Sequence, residues 1–535
     1  MARGMTRRQF LARAGAATSA GLALGSLPGG MDRAEAYITR AGKKILVVGA
    51  AQEVPNLDPS LHYDWSTRML QQSTYDALLK YIGNPPQAVP WLATGYEASP
   101  DAKTWTFHLD RRARFHIGDP VDSASVKSSY TRTIELKQGP AWTLQGVLEP
   151  GDIETPDSST VVFHLKTPFA PFAAIVPWWY IMNPREIRIH EEGHDYGQAW
   201  MREHDVGSGP FRIVSWQPNA AYELEAVQDY WKGWPSQGHL DGFLFQVMRE
   251  PSTQKLAIQR GDIDVSTNIV PEDLDLLAHA PGTYVTENPG ITTFGVKMNN
   301  QRGPTANKAL RKAIAYAFNY KDLINIYKGH AVLENSPVPI GMRGHVDLPS
   351  YRQDLERARA SLREAGVPSP VRLTYVYVDG FAEEKEIGLA LKASLAEIGI
   401  NVELIGRTWP TMVGMGTKPE TMPDMMAVFV TPLYNDPDAV LSQYTPTAWG
   451  QYYGVNFYKN EAVTPLVERA RSLSDWSARA AIYAGIQKVI WEDSPEIFGM
   501  QYMRRWAFRS AVKGFQFCPL RATNEIDMYP IYLQG

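Results

Sequence analysis

The sequence predicts an α/β fold with several sheets, divided among two or three domains. Three observations carry this expectation. The stretch 371–378, 383–398 and 402–405 reads as strand, helix and strand, a βαβ unit whose two strands must run parallel. The first half of the chain is rich in short strand patterns, and the second half is more helical. At 535 residues the chain is too long for one ordinary core, and no flexible linker cuts it into autonomous modules.

The elements follow in order. Ile45-Leu46-Val47-Val48, after Lys43-Lys44, is an unbroken β-branched and Leu run and predicts a buried strand. Asn56-Leu57-Asp58-Pro59 is a turn, and Met69, Leu70, Tyr75, Leu78 and Leu79 predict a helix over 67–80. In 104–109, Trp105, Phe107 and Leu109 alternate with Thr104, Thr106 and His108, the period of a half-buried strand. A further strand covers 161–165. Segments 211–216 and 222–226 flank Gln217-Pro218-Asn219-Ala220 as a hairpin, and 243–248 and 263–265 are strands. Leu310, Ile314 and Phe318 place a helix over 309–319. Another covers 354–365 and stops at Gly366, and a late helix covers 478–491. There is no internal repeat and no low-complexity tract.

The N-terminal segment points to export. Thr6-Arg7-Arg8-Gln9-Phe10-Leu11 is followed by a weakly apolar run to Leu27 and then by Ala34-Glu35-Ala36, a small-x-small cleavage site. Adjacent Arg7-Arg8 before Phe10-Leu11 resembles a twin-arginine signal, which carries folded proteins across the membrane. Cleavage after Ala36 leaves 499 residues. Residues 1–36 hold five of the 53 basic and two of the 57 acidic residues, so the remainder carries 48 against 55, a net charge of −7. A mildly acidic chain without a basic run argues against nucleic acid and anionic membrane surfaces as partners. The single cysteine, Cys518, forms no intramolecular disulfide and lies far from a lipidation position, so a soluble exported protein without a lipid anchor is expected. The apolar run 169–182 is too short to span a bilayer and is broken by Pro171 and Pro177; it reads as a buried edge or cavity wall. Fifteen Trp and 26 Tyr supply flat faces with polar tips, which suit cavities that grip polar organic ligands as well as large mixed cores.

Signatures of catalysis are weak. His190-Glu191-Glu192-Gly193-His194 matches the H-E-x-x-H of zinc peptidases and extends to Gly197, but the third histidine position is Trp200. Gly193 would weaken the zinc helix, and His204 or Glu203 stands at the wrong spacing, so a solvated surface segment is the preferred reading. There is no phosphate loop, no G-x-S-x-G elbow and no C-x-x-C pair. Asp436 and Asp438 flank Pro437 and read as solvated or capping loop acids. Met412, Met415, Met422, Met425 and Met426 read as adaptable packing rather than a soft-metal site. Asp262-Ile263-Asp264-Val265 is a loop-to-strand boundary. No cofactor and no metal is expected.

Ordered landmarks along nearly the whole chain resemble the solute-binding proteins of ABC importers, family 5, of the oligopeptide-, dipeptide- and nickel-binding type. They are Asn56-Leu57-Asp58-Pro59 with Tyr75-Asp76-Ala77-Leu78-Leu79; Pro90-Trp91-Leu92-Ala93-Thr94; Ser99-Pro100-Asp101; 104–109; Phe115-His116-Ile117-Gly118-Asp119-Pro120-Val121; Gly207-Ser208-Gly209-Pro210-Phe211 with Asp229-Tyr230-Trp231; Gly261-Asp262-Ile263-Asp264-Val265; Leu310-Arg311-Lys312-Ala313-Ile314; and Asn435-Asp436-Pro437. The resemblance implies a two-lobe periplasmic binding protein fold of type II, the large cluster with an extra inserted domain, with mixed sheets and a ligand cleft between lobes that close on the solute. The implied division is a signal peptide at 1–36, lobe 1 at 37–79, 206–293 and 501–535, an inserted domain at 80–205, and lobe 2 at 294–500. The implied role is an extracytoplasmic receptor that delivers a solute to an inner-membrane ABC permease, as a monomer and without catalysis. Trp409, Tyr434, Asn435, Asp436 and Tyr502 match ligand-facing positions of the family.

One departure matters. Peptide receptors of this family hold the free α-ammonium with an aspartate three residues before the acid of this loop, and that position is Leu433. A buried ammonium without a counter-charge is costly. The departure therefore disfavours peptides held by a free N-terminus and favours opines, oligosaccharides, metal chelates or modified peptides. The alternatives from other classes are an exported zinc hydrolase using His190, Glu191 and His194, and a ligand sensor that feeds a chemoreceptor.

Overall fold

The computed structural model describes residues 42–61, 65–236, 238–521 and 525–534; the segment 1–36, expected to direct export, lies outside the described residues. Most strands join one large mixed sheet. Its order runs Ile400–Arg407, Val371–Val378, Met425–Val430, Thr283–Met298, Glu496–Arg509, Val265–Ser266, Ile45–Ala50, Gly242–Val247, Ala221–Ala226 and Phe211–Gln217, with Ala331–Leu333 pairing to Glu496–Arg509 off this path. Ile45–Ala50 is parallel to both of its neighbours and almost wholly buried, as expected of an apolar strand covered on both faces. The βαβ unit forms as its pattern requires: Val371–Val378 and Ile400–Arg407 pair in parallel through eight residues, with the helix Ala382–Ala396 between them. Gly388 lets that helix approach the sheet, because a Cβ there would lie 2.5 Å from the Tyr375 ring.

Two long antiparallel strands, Thr283–Met298 and Glu496–Arg509, tie the lobes together. Their register is continuous from Thr283↔Arg509 to Pro289↔Met503, breaks, and resumes from Thr293↔Gln501. The break marks where the sheet passes from one core to the next. On the first side lie Leu46, Val48, Phe211, Tyr222, Phe243, Trp506 and Phe508; on the second lie Phe294, Val296, Leu310, Ile314, Leu391 and Ile490. The expected lobe boundaries, 293/294 and 500/501, fall inside these two strands.

A separate four-stranded antiparallel sheet, Ala93–Ala98, Thr104–Leu109, Thr160–His164 and Ile153–Asp157, packs against the helix Ser123–Leu136 around Phe107, Tyr130, Phe163, Phe172 and Trp179. The hairpin 211–226 and the strands and helices expected at 45–48, 104–109, 161–165, 243–248, 309–319, 354–365 and 478–491 all form within a few residues of their expected ends. The helix expected over 67–80 does not run that far. It spans Trp65–Thr74, and Leu79–Ile82 is a strand paired with Gln87–Pro90. The chain turns at Tyr75 because Asp76 is drawn into a buried hub, so Leu78 and Leu79 serve the inserted domain's core instead of a helix face. Among the described residues no helix is long and apolar enough to cross a membrane.

Candidate functional site

The strand Glu496–Arg509 has a gap along one edge. Val265 and Ser266 pair with Phe508 and Ala507, and Ala331, Val332 and Leu333 pair with Tyr502, Gln501 and Met500, so residues 503–506 stand between a strand of one lobe and a strand of the other. A cavity of about 140 Å³ occupies this gap. Thr267 and Leu274 line it from the first lobe, Tyr327 and His330 from the second, and Tyr502 and Arg504 from the crossing strand.

Aromatic side chains continue from the gap into the second lobe. Tyr502 faces Tyr327 at 6.2 Å and the edge of Phe429 at 6.0 Å between ring centroids. The Tyr452 hydroxyl accepts from the Phe429 amide at 3.2 Å, and the Tyr452 ring lies 4.8 Å from that of Trp409. Trp409 opens the short helix Trp409–Met415 and is 49% exposed, unusual for the largest apolar side chain. The Phe429 ring packs with the core of Phe294 and Met425, and the Tyr452 ring with that of Met426 and Val428, on opposite faces of the strand Met425–Val430; Tyr502 and Trp409 are thus linked only through the Phe429 backbone, a link that sequence reasoning missed. No spacing rule links positions 429, 452 and 502; only the tertiary fold brings them near one another.

Tyr434, Asn435 and Asp436 lie elsewhere, where the loop after Met425–Val430 bridges the lobes. Tyr434 is buried in the inserted domain's core and donates to Asp438 at 2.8 Å. The Asn435 amide donates to the Tyr81 hydroxyl at 3.1 Å, its side chain to the Pro86 carbonyl at 2.5 Å, and its side-chain oxygen accepts from the Arg343 amide at 2.9 Å. Asp436 and Asp438 are not solvated. Both are buried, Asp436 accepting from Arg479 at 2.7 Å and Asp438 from Arg471 at 2.6 Å. Two arginines from the helices Val463–Arg471 and Trp476–Asp493 draw them in, and the linear sequence shows neither pairing. Burial works against the Arg479 charge, yet Asp436 and Tyr483 hold its pKa above the ordinary guanidinium value.

The H-E-x-x-H segment is not built as a zinc helix. The helix Pro184–Ile189 ends before it, and His194 sits at φ +63°, so the two histidines share no helical face. His190 stacks on Trp200 at 4.0 Å and an interplanar angle of 1°, and His204 stacks on the same indole at 4.4 Å. Among the described residues no group of three His, Cys, Asp or Glu is placed to hold a metal ion. The methionines pack: Met412, Met422 and Met426 are buried with Val376, Val428 and Phe457.

Four of the family-like fragments of the first half meet at Asp76, which is 3% exposed. Its carboxylate accepts from Trp91 Nε1 (2.8 Å), Tyr230 hydroxyl (3.0 Å), Ser208 hydroxyl (3.0 Å) and Trp231 Nε1 (2.9 Å). Four separated motifs are therefore one hydrogen-bonded joint between the first lobe and the inserted domain.

The chain is similar to known proteins over most of its length. Residues 87–452 match the model of the bacterial extracellular solute-binding proteins, family 5 Middle. The probable D,D-dipeptide-binding periplasmic protein DdpA of Escherichia coli strain K12 is 29% identical over 490 residues, covering 89% of this chain and 92% of that protein. Among solved structures, HbpA2 from Haemophilus parasuis superposes with a TM-score of 0.81 at 21% identity, covering 92% of this chain and 100% of that one. DppA from Helicobacter pylori, in complex with the peptide STSA, gives 0.75 at 24% identity, covering 92% of this chain and 98% of that one. Two lobes joined by crossing strands, an inserted sheet and a family match over two thirds of the residues lead to one assignment: the chain belongs to the bacterial extracellular solute-binding proteins of family 5.

Proposed function

We propose that this protein is the extracytoplasmic receptor of an ABC importer, capturing a peptide-like or other polar organic solute between its lobes and delivering it to the membrane permease. The observation that carries the reading is the gap at 503–506. It lies where the lobes part on a shared strand, and its cavity is lined by the aromatic rings of Tyr327 and Tyr502. Closure on a solute selects one arrangement of the crossing strands, and no bond is made or broken. Trp409 and Tyr502 supply stacking faces, while Tyr434, Asn435 and Asp436 set the loop that joins the lobes and change partners on opening. Export runs through the segment headed by Arg7 and Arg8, and the receptor acts as a monomer.

Leu433 packs against the inserted domain's core and offers no charge. The solute is therefore held without an acid at this position for an α-ammonium; opines, oligosaccharides, metal chelates and modified peptides fit better than peptides gripped by a free N-terminus. The test is to unfold the purified protein, identify the released small molecules by mass spectrometry, refold it and add them back. A receptor gains thermal stability with solute concentration, about 2.7 kcal/mol at a hundredfold excess over Kd. A refolded protein that no released compound stabilises contradicts the proposal.

A further inference from the structure

We propose that Arg504 and Thr267 form an anion-binding subsite that receives a carboxylate of the solute; the inference rests on the solute-receptor reading above. Arg504 is 4% exposed, at the middle of the gap between the lobes. Its Nη2 donates to Thr292 Oγ1 at 2.8 Å, but its Nε and Nη1 are buried with no hydrogen-bond partner. Other buried arginines are satisfied differently. Arg132 is paired with Asp58, Arg479 with Asp436 and Arg521 with Asp527, and Arg311 donates to four carbonyls. The adjacent Arg505 pairs with Asp275 and Glu287. Arg504 alone of this group holds a desolvated positive charge against a hydroxyl and the face of Tyr502, whose ring centroid lies 4.5 Å from the guanidinium carbon.

A buried cation without a counter-charge is costly, so a position that keeps one is poised for a partner that arrives later. Arg504 lines the interlobe cavity of about 140 Å³, and so does Thr267, whose hydroxyl is also buried without a partner. Thr267 follows the short strand Val265–Ser266, which pairs with the first-lobe end of the crossing strand that carries Arg504, so an anion between them would sit at the first-lobe edge of the gap. One guanidinium matches one carboxylate in charge; a phosphate dianion would leave a negative charge over. The guanidinium lies over the Tyr502 ring, which gives the ring expected to touch solute a second contact. With Leu433 in place of an acid, attachment is through the solute's negative end.

The experiment compares wild type, Arg504→Gln, Arg504→Lys and Thr267→Val, purified identically from the periplasm, with native mass spectrometry for solute occupancy and melting temperature after solute removal as the folding control. The released solute is identified by accurate mass, and its acid groups are counted by methyl esterification. The expected result is a carboxylate-bearing solute in wild type and an affinity lowered roughly ten- to hundredfold in Arg504→Gln, the size of a lost charge-assisted hydrogen bond. Arg504→Lys should be intermediate and Thr267→Val weakened less. A solute without a carboxyl group, including a phosphate ester, overturns the proposal while the receptor reading stands. So does wild-type affinity in both Arg504→Gln and Thr267→Val. If Arg504→Gln does not fold, the lysine and valine variants decide alone. A wild type that binds no released compound overturns both readings.

Discussion

Replacing Asp76 by Asn tests the joint on which the first lobe and the inserted domain depend. The carboxylate accepts four hydrogen bonds, two on each oxygen, from Trp91, Tyr230, Ser208 and Trp231. Asparagine keeps one oxygen and presents an NH2 where the other stood; the Tyr230 or Ser208 hydroxyl on that side can turn and accept from it, but the Trp91 or Trp231 indole N–H cannot and faces a donor instead. A hydrogen bond to a charged group contributes about 1.5–3 kcal/mol net, which puts the loss of one at about 1.5–3 kcal/mol. The volume of the side chain is unchanged, so no cavity contributes. Urea unfolding followed by tryptophan fluorescence reads the effect directly, because Trp91 and Trp231 are themselves donors to the hub. The unfolding midpoint should fall at constant m. The exposed control Asp229→Asn should stay within about 0.5 kcal/mol of wild type. A loss below about 1 kcal/mol in Asp76→Asn would refute the claim that these motifs act as one buried hub.

Two further outcomes follow. Trp409 offers about half of a surface of roughly 200 Å², so stacking on it contributes about 2.5 kcal/mol at 25 cal/mol per Å²; Trp409→Ala should weaken binding of the co-purified solute roughly fifty- to hundredfold by calorimetry, and unchanged affinity would remove Trp409 from the site. Burial lifts the Glu384 pKa from 4.5 to about 7, so the ionisation it favours in the unfolded chain lowers stability as pH rises from 4.5 through 7, by at most about 3 kcal/mol. Glu384→Gln keeps an acceptor for the Val378 amide, so it should match wild type near pH 4 and exceed it near pH 8; parallel curves would contradict this.

Local patterns made much of the fold legible. Alternation in 104–109 and the strand–helix–strand run of 371–405 depend on residues near one another, and both formed. The pair of long crossing strands left no such trace: Glu496–Arg509 mixes Gly499, Gln501, Arg504, Arg505 and Trp506 because it passes from one core to another and changes environment along its length. The helix predicted through Leu79 failed for a related reason, since a hub 155 residues wide in sequence decides where the chain leaves the helix. Trp409 and Tyr502 were named from the family resemblance, whereas Phe429, Tyr452 and Arg504 stand out only in the folded chain, because their neighbours are distant in sequence. Of the solvated and capping readings of Asp436 and Asp438, the solvated one failed because Arg479 and Arg471, 43 and 33 residues away, neutralise them, while Asp436 does accept from the Asp438 amide at the start of the helix Asp438–Leu441.

The central claim is a receptor whose two lobes close on a solute, and small-angle scattering tests it most directly. Solute-free protein, refolded after denaturation, is measured before and after the released solute is added back. Closure around the crossing strands 283–298 and 496–509 requires the radius of gyration to fall and to saturate at one solute per chain, with a parallel rise in melting temperature. An unchanged radius and an unchanged melting temperature at saturating solute would contradict the account.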